Sequence, residues 1–363
     1  MSEYNSVADY EAKAKTLLES SVKGFYQSGA GDEQTLYLNK QAFQRLRIRP
    51  RVLRDVSKIS LKNSIFSKQV DLPLGIAPSG MQKVAHDDGE SGNARAVGSF
   101  GGIYIMSTVA TTSIEELAQN APNTRKWFQL YPYATKGISE SLIKRAENAG
   151  FEALVITVDV PVLGLRRTDA KNKFVLPKTL QLANLVKEKT NGLEIMDGLS
   201  NIASNFNAGF NWEDVRRIVR STKLPVIIKG ILTAEDAFLA KANGCRGIIV
   251  SNHGGRQLDG VPAAIEALPE IVEAVGHSIE VMMDGGVSQG TDVFRALALG
   301  AKMVFVGRAS LWGLTVNGQK GVEDVFRIIK NELEVTMALA GCASIGDIRP
   351  SMVKWDSGYY SKL

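Results

Sequence analysis

The stretch GIIVSNHGGRQLDG (247–260) holds one of only three histidines in a chain of 363 residues. A run of β-branched apolar residues stops at Ser251-Asn252-His253, two glycines follow, and Arg256 stands three residues after the histidine. An imidazole that titrates near neutral pH, with a cation close by and carboxylates at neighbouring strand ends, reads as a general base. Lys229 follows Val-Ile-Ile in PVIIKG, which marks it as a functional group more than a surface lysine. Asp159, at the end of ALVITVD, is either a helix N-cap or a partner in the same chemistry. His86 in AHDDGE and His277 in AVGHSIE read as structural or surface residues. Three dispersed histidines with no Cys–His spacing do not assemble a transition-metal site, so no metal is expected.

These residues need a scaffold that brings distant segments to one place. Eight short apolar runs recur along the chain: LGIAP (74–78), GIYIMST (102–108), KWFQLY (126–131), ALVITVD (153–159), PVIIKG (225–230), GIIVSN (247–252), EVMMDGG (280–286) and MVFVGR (303–308). They are near-continuous instead of alternating, as strands covered on both faces are. Helical patterns such as SIEELAQNA, ESLIKRAENAG, AEDAFLAKANG and TDVFRALALG lie between them. Repeated βα units of this kind predict an α/β fold, a TIM (β/α)8 barrel, with an open doubly wound sheet as the alternative. In a barrel the chemistry gathers at the C-terminal strand ends. Read in order, those ends are Pro78-Ser79-Gly80, Ser107, Gln129 and Tyr131, Thr157 and Asp159, Lys229, Ser251 and His253, Asp284-Gly285-Gly286, and Gly307-Arg308. All are polar or glycine-rich, and that convergence argues for an enzyme. Backbone N–H groups after strands seven and eight commonly hold a phosphate in such barrels, although DGG and GR also suit ordinary turns.

The rhythm breaks once. The long, polar, weakly periodic interval after strand 4 makes residues 165–215 a lid loop over the catalytic face. Residues 1–70 carry amphipathic helices (YEAKAKTLLESSVKGFY) that cap the barrel, and no linker divides residues 1–363 into a second domain. There are 43 basic and 38 acidic residues, and the densest basic run, Arg45-Arg47-Arg49-Arg51-Arg54, reads as a solvated surface. Without a recognised motif, nucleic acid is not an expected partner. No apolar run approaches the eighteen residues of a membrane span, and the charged N-terminus does not suit a signal peptide, so no membrane is expected. Cys245 and Cys342 lie in apolar surroundings and read as free buried thiols. The terminal Ser361-Lys362-Leu363 reads as a peroxisomal address, with an import receptor as partner.

The segments SNHGGRQLDG, TVDVPVLGLRR, FQLY, IIKG and DGGVSQGTDVFRALALGAK resemble the FMN-dependent 2-hydroxy acid oxidases, the group of glycolate and long-chain 2-hydroxy acid oxidases. The similarity runs from about Asp9 to the terminal SKL. It implies that Pro78, Ser79, Gly80, Ser107, Gln129, Thr157 and Ser251 hold the flavin ring and ribityl chain of FMN, with Lys229 beside flavin N1. It places Asp284, Gly285, Gly286, Gly307 and Arg308 at the phosphate end. It makes His253 the catalytic base, Asp159 its orienting carboxylate, and Tyr131, Arg166 and Arg256 the substrate-binding residues. The implied reaction takes an (S)-2-hydroxy acid to the 2-oxo acid with O2 reduced to hydrogen peroxide, in a homotetramer or octamer. Three positions depart from the family pattern. Phe25 replaces a tyrosine before the SGA turn, Val109 replaces a tryptophan, and Ser288 replaces an arginine expected at the flavin phosphate. The first two point to medium or long-chain substrates over glycolate, and the third to weaker hold on FMN. A dehydrogenase with another electron acceptor and a catalytically impaired flavin-binding barrel are the competing readings.

Overall fold

A computed structural model of the protein describes residues 4–186 and 203–357. Each of the eight apolar runs supplies one barrel strand: β1 (Leu74–Ile76), β2 (Ile103–Met106), β3 (Arg125–Leu130), β4 (Ala153–Thr157), β5 (Val226–Ile231), β6 (Gly247–Val250), β7 (Glu280–Asp284) and β8 (Val304–Val306). Neighbours are parallel, and β8 returns to β1 through Val304↔Leu74, which closes the barrel and rules out the open sheet. The four expected helical segments are helices at Ile114–Asn120, Ile138–Asn148, Ala234–Ala242 and Gly290–Ala298.

Strand pleating decides what the barrel contains, because alternate residues point inward. Ile105, Trp127, Val155, Ile227, Ile249, Met282 and Phe305 form one buried cluster inside the barrel. The outward set, among them Tyr104, Phe128, Leu154, Ile156, Ile228, Ile248 and Val304, packs with the surrounding helices in a second cluster. Two residues further along each inward row stand Ser107, Gln129, Thr157, Lys229, Ser251, Asp284 and Gly307. The interior is therefore apolar until its last layer, which is polar all round the C-terminal mouth.

Three helices precede the barrel: α1 (Val7–Leu17), α2 (Ser20–Gln27) and α3 (Gln34–Arg45). They pack at the same mouth. Asn39 of α3 and Asn252 after β6 exchange amide hydrogen bonds of 2.8 and 2.9 Å. The Asp259 carboxylate accepts from the Thr35 and Asp32 amides at 2.8 and 3.0 Å. A hairpin, Asn63–Ile65 with Lys68–Val70, closes the opposite end, where Phe66 lies against Trp127. The loops after β1 and β2 are fastened by one buried carboxylate. Glu90 accepts from the Gln82 and Thr111 amides at 3.0 and 2.8 Å and from the Thr112 hydroxyl at 2.8 Å.

Both flanks of the expected lid are ordered on the barrel. Asn184 accepts the Ile114 amide at 2.8 Å and donates to the carbonyls of Ser107 and Thr108. Residues 187–202 of that loop and the terminal Ser361–Leu363 lie outside the described residues. Among the described residues no helix is long and apolar enough to cross a membrane. Both cysteines are free and buried.

Candidate active site

The polar layer at the mouth is wired into one network. The Lys229 ammonium donates to Ser251 Oγ at 2.8 Å and lies 3.2 Å from Asp284 Oδ2. Ser251 Oγ donates to Asp284 Oδ1 at 2.5 Å and accepts the His253 amide at 3.0 Å. Ser251 thus hands the order of the buried ion pair to the residue that leaves the strand. His253 sits at φ 58°, in the left-handed region, with Gly254 and Gly255 at 64° and 76°. A Cβ at position 255 would come within 2.6 Å of the Leu36 amide nitrogen, so glycine is required there. This turn, costly for a residue with a side chain, aims the imidazole so that Nδ1 meets Asp159 Oδ1 at 3.0 Å.

Burial lowers the pKa of His253, and the Asp159 carboxylate opposes that fall. Burial alone would raise Asp159, but the charges of His253 and Lys229 outweigh it and hold the carboxyl below its ordinary range. The arrangement favours a neutral imidazole that offers Nε2 as a base, beside an ionised carboxylate ready to meet the imidazolium.

Across the cavity from this pair stand two arginines. Arg166 donates to the Arg256 carbonyl at 3.1 Å and to Gln257 Oε1 at 3.2 Å, and Gln257 in turn holds the Asp159 carbonyl at 2.9 Å. Arg256 donates to the Ser28 carbonyl at 2.9 Å and lies over the Phe25 ring at 5.4 Å. Neither guanidinium forms a salt bridge among the described residues. Burial, with Arg166 and Arg308 nearby, lowers the pKa of Arg256 well below its ordinary value. Asp169 acts on both guanidiniums only from beyond salt-bridge distance, and the positive charge left in excess suits an anion. Tyr131 lines the same space, its hydroxyl pKa raised by burial and by the charge of Asp159.

The cavity lies above the polar layer and is lined by Pro78, Ser79, Gly80, Ser107, Val109, Tyr131, Arg166, Lys229, His253 and Arg256 at one end, and by Asp284–Ser288, Gly307 and Arg308 at the other. Gln129, Thr157, Ser251 and Asp159 stand beneath or beside it. All the candidate residues are therefore brought together. Gln129 Nε2 and Thr157 Oγ1 are buried without a hydrogen-bond partner among the described residues. Leaving such groups unpaired costs about 1–3 kcal/mol each, and a flat polar ring above this layer would satisfy them. At the other end Gly285 and Gly286 have φ of 100° and 79°, and a Cβ on Gly286 would fall 2.2 Å from the Asn39 carbonyl oxygen. The glycine turn leaves its backbone open to an anion. These features fit FMN.

Several details were not legible in the sequence. The Arg308 guanidinium is turned onto the carbonyls of Tyr26, Gly254 and Ser28, at 2.9, 2.9 and 3.2 Å. Phe206 stacks on Tyr131 with ring centroids 4.5 Å apart and lines the cavity with Leu163 and Val160. It belongs to ASNFNAG (203–209), a stretch outside the chain's periodic segments, where nothing in the pattern marks a wall residue. Phe25 is buried and stacked on Phe174 at 4.6 Å, and Tyr26 lines the cavity too, with its hydroxyl donated to the Met81 carbonyl at 2.8 Å. Lys40 and Glu11, from the N-terminal helices, also reach the cavity.

Residues 14–355 match the family model described as FMN-dependent dehydrogenase. Glycolate oxidase 1 of Zea mays is 47% identical, covering 100% of this chain and 99% of its own length. 2-Hydroxyacid oxidase 1 of Homo sapiens is 43% identical, covering 98% of each. Among solved structures, mandelate oxidase with (S)-4-hydroxymandelic acid superposes with a TM-score of 0.89 at 40% identity, over 97% of this chain and 98% of the other. A mutant of an active chimera of (S)-mandelate dehydrogenase gives 0.90 at 35% identity, over 96% and 99%.

The electrostatics make a direct prediction. Histidine-ring NMR should find the His253 titration below the ordinary value of 6.5. Asp159→Asn removes the charge that favours the imidazolium, so the midpoint should move lower still. An unchanged or higher midpoint in the variant would mean that the two groups are not electrostatically coupled.

Proposed function

Because this chain belongs to the FMN-dependent dehydrogenase family, we propose that it oxidises (S)-2-hydroxy acids to 2-oxo acids, with molecular oxygen as the final acceptor. One observation carries the reading. The base pair His253–Asp159 and the unpaired guanidiniums of Arg166 and Arg256 face one cavity. A single 2-hydroxy acid can then present its carboxylate to the arginines and its hydroxyl-bearing carbon to the imidazole.

Bound FMN would supply the two-electron acceptor, with oxygen as the final oxidant and hydrogen peroxide as its product. Pro78, Ser79, Gly80, Ser107, Gln129, Thr157 and Ser251 would hold its ring and ribityl chain, and Lys229 would set a buried cation against the ring. Asp284, Gly285, Gly286, Ser288, Gly307 and Arg308 would surround its phosphate end. His253 Nε2 takes a proton from the substrate, since Nδ1 is engaged with Asp159. Asp159 stabilises the imidazolium and fixes the ring plane. Arg166 and Arg256 orient the carboxylate, and Tyr131 adds a protonated hydroxyl at the same wall.

The cavity wall supports a preference for medium, long or aromatic side chains. Val109, Leu163, Val160 and Phe206 are apolar, and Phe25 offers the substrate no hydroxyl. A missing hydrogen bond to the smallest substrates is worth about 0.5–1.5 kcal/mol. Each substrate methylene buried against that wall returns up to about 0.8 kcal/mol. Two or three methylenes therefore outweigh the lost contact.

Oxygen uptake measured at fixed pH should give kcat/KM rising from glycolate through lactate to longer aliphatic or aromatic 2-hydroxy acids. Val109→Trp should shift the preference back to short chains. Glycolate as the best substrate would overturn the size argument. Arg256→Lys and Arg166→Lys keep a charge but lose the planar fork, so each should lower kcat/KM by about tenfold or more. A substrate methyl ester that reacts as fast as the free acid would show that no carboxylate is being gripped.

A further inference from the structure

Arg308 is, among the described residues, the one side-chain cation that the loops after β7 and β8 bring to the phosphate end of the cavity. Loops after the seventh and eighth strands of such barrels are the usual phosphate position, and here they provide Gly285, Gly286, Ser288, Gly307 and Arg308. Ser288 carries no charge, and its amide is committed to Asp292 Oδ2 at 3.0 Å. Arg308 spends Nε and both terminal nitrogens on three backbone carbonyls. Among the described residues, Lys229 is spent on Asp284 beside the glycine turn, and Lys40 is a further cation that lines the cavity, from α3. Lys40 follows Asn39, whose carbonyl blocks any side chain at Gly286, so α3 abuts the turn at this point. The Lys40 ammonium is only loosely paired. It lies 3.5 Å from Glu11 Oε2, while Glu11 Oε1 is held by Lys15 at 2.7 Å. One carboxylate is shared between two lysines, which leaves positive charge in excess. Lys40 is 57% exposed, and its four-carbon stem can swing from Glu11 to an anion in the turn.

We propose that Lys40, from the N-terminal helices, joins Arg308 as a side-chain cation at the phosphate of FMN and does the work of the arginine that Ser288 replaces. The inference rests on the flavin reading above and deepens it. It makes the N-terminal cap part of the cofactor site, with Lys40 the contact that α3 makes to the phosphate.

The test compares FMN with riboflavin, which lacks only the phosphate. The full-length chain, stripped of flavin, is titrated with each while flavin fluorescence is followed. Wild type should bind FMN more tightly than riboflavin, with a preference that shrinks as salt is raised. Lys40→Ala should weaken FMN by about tenfold or more and riboflavin by less than about twofold. Lys40→Arg should retain FMN, and Ser288→Arg added to Lys40→Ala should restore it. Lys40 is largely exposed, so these variants leave the core untouched. An unchanged FMN affinity in Lys40→Ala, or an equal loss for both flavins, overturns the proposal. A wild-type chain that binds the two flavins equally overturns it too, yet leaves the flavin reading standing; one that binds neither overturns both.

Discussion

Lys229 and Asp284 form an ion pair at the ends of β5 and β7, almost wholly withdrawn from water. Taking both charges out of solvent costs several kcal/mol per ion, and mutual attraction repays this only if geometry and hydrogen bonding are good. Here Ser251 bonds to both partners, so the pair is held across β6 as well. Well-packed apolar residues in place of a buried ion pair are often as stabilising or more so. Its retention makes sense as function. The pair gives the cavity a charged, rigid floor, and the Ser251 hydroxyl also fixes the His253 amide at the start of the left-handed turn.

Everything above the floor inherits that order. His253 is held at its amide by Ser251 and at its ring by Asp159, and Gln257 links the Asp159 carbonyl to Arg166. His253, Asp159 and Arg166 thus form one chain of contacts. The N-terminal helices complete it, because the carbonyls of Tyr26 and Ser28 receive both Arg256 and Arg308. Those arginines repel each other, and backbone carbonyls hold them without cancelling their charge. A carboxylate in the same place would neutralise the site for its substrate.

Most of the barrel was legible in the sequence. Short, β-branched apolar runs such as ALVIT and GIIV suit a strand covered on both faces, and pleating then fixes which residue of each run reaches the mouth. That is why Gln129, Thr157, Lys229, Ser251 and Asp284 could be picked from strand ends. Closure of β8 on β1 follows from the number of units, but an open sheet has the same local pattern, so only the register decided it. Side chains outside the strands were legible in identity and not in direction. Arg308 turns to carbonyls far away in sequence, and Phe206 reaches Tyr131 from a stretch without periodicity. Lys40 comes from a helix whose place over the mouth depends on Asn39 meeting Asn252. Such contacts are set by tertiary packing, which leaves no period in the chain.

Whether His253 draws the proton from a 2-hydroxy acid, in a barrel that carries FMN, is open to one direct measurement. The yellow full-length protein is mixed with an (S)-2-hydroxy acid under anaerobic conditions, and the flavin absorbance is followed. Wild type should bleach and recover its colour in air, while His253→Ala should keep its flavin and bleach about 10²–10⁴-fold more slowly. A His253→Ala protein that bleaches within about tenfold of wild type would show that His253 is not the base, since loss of a general base costs more than that.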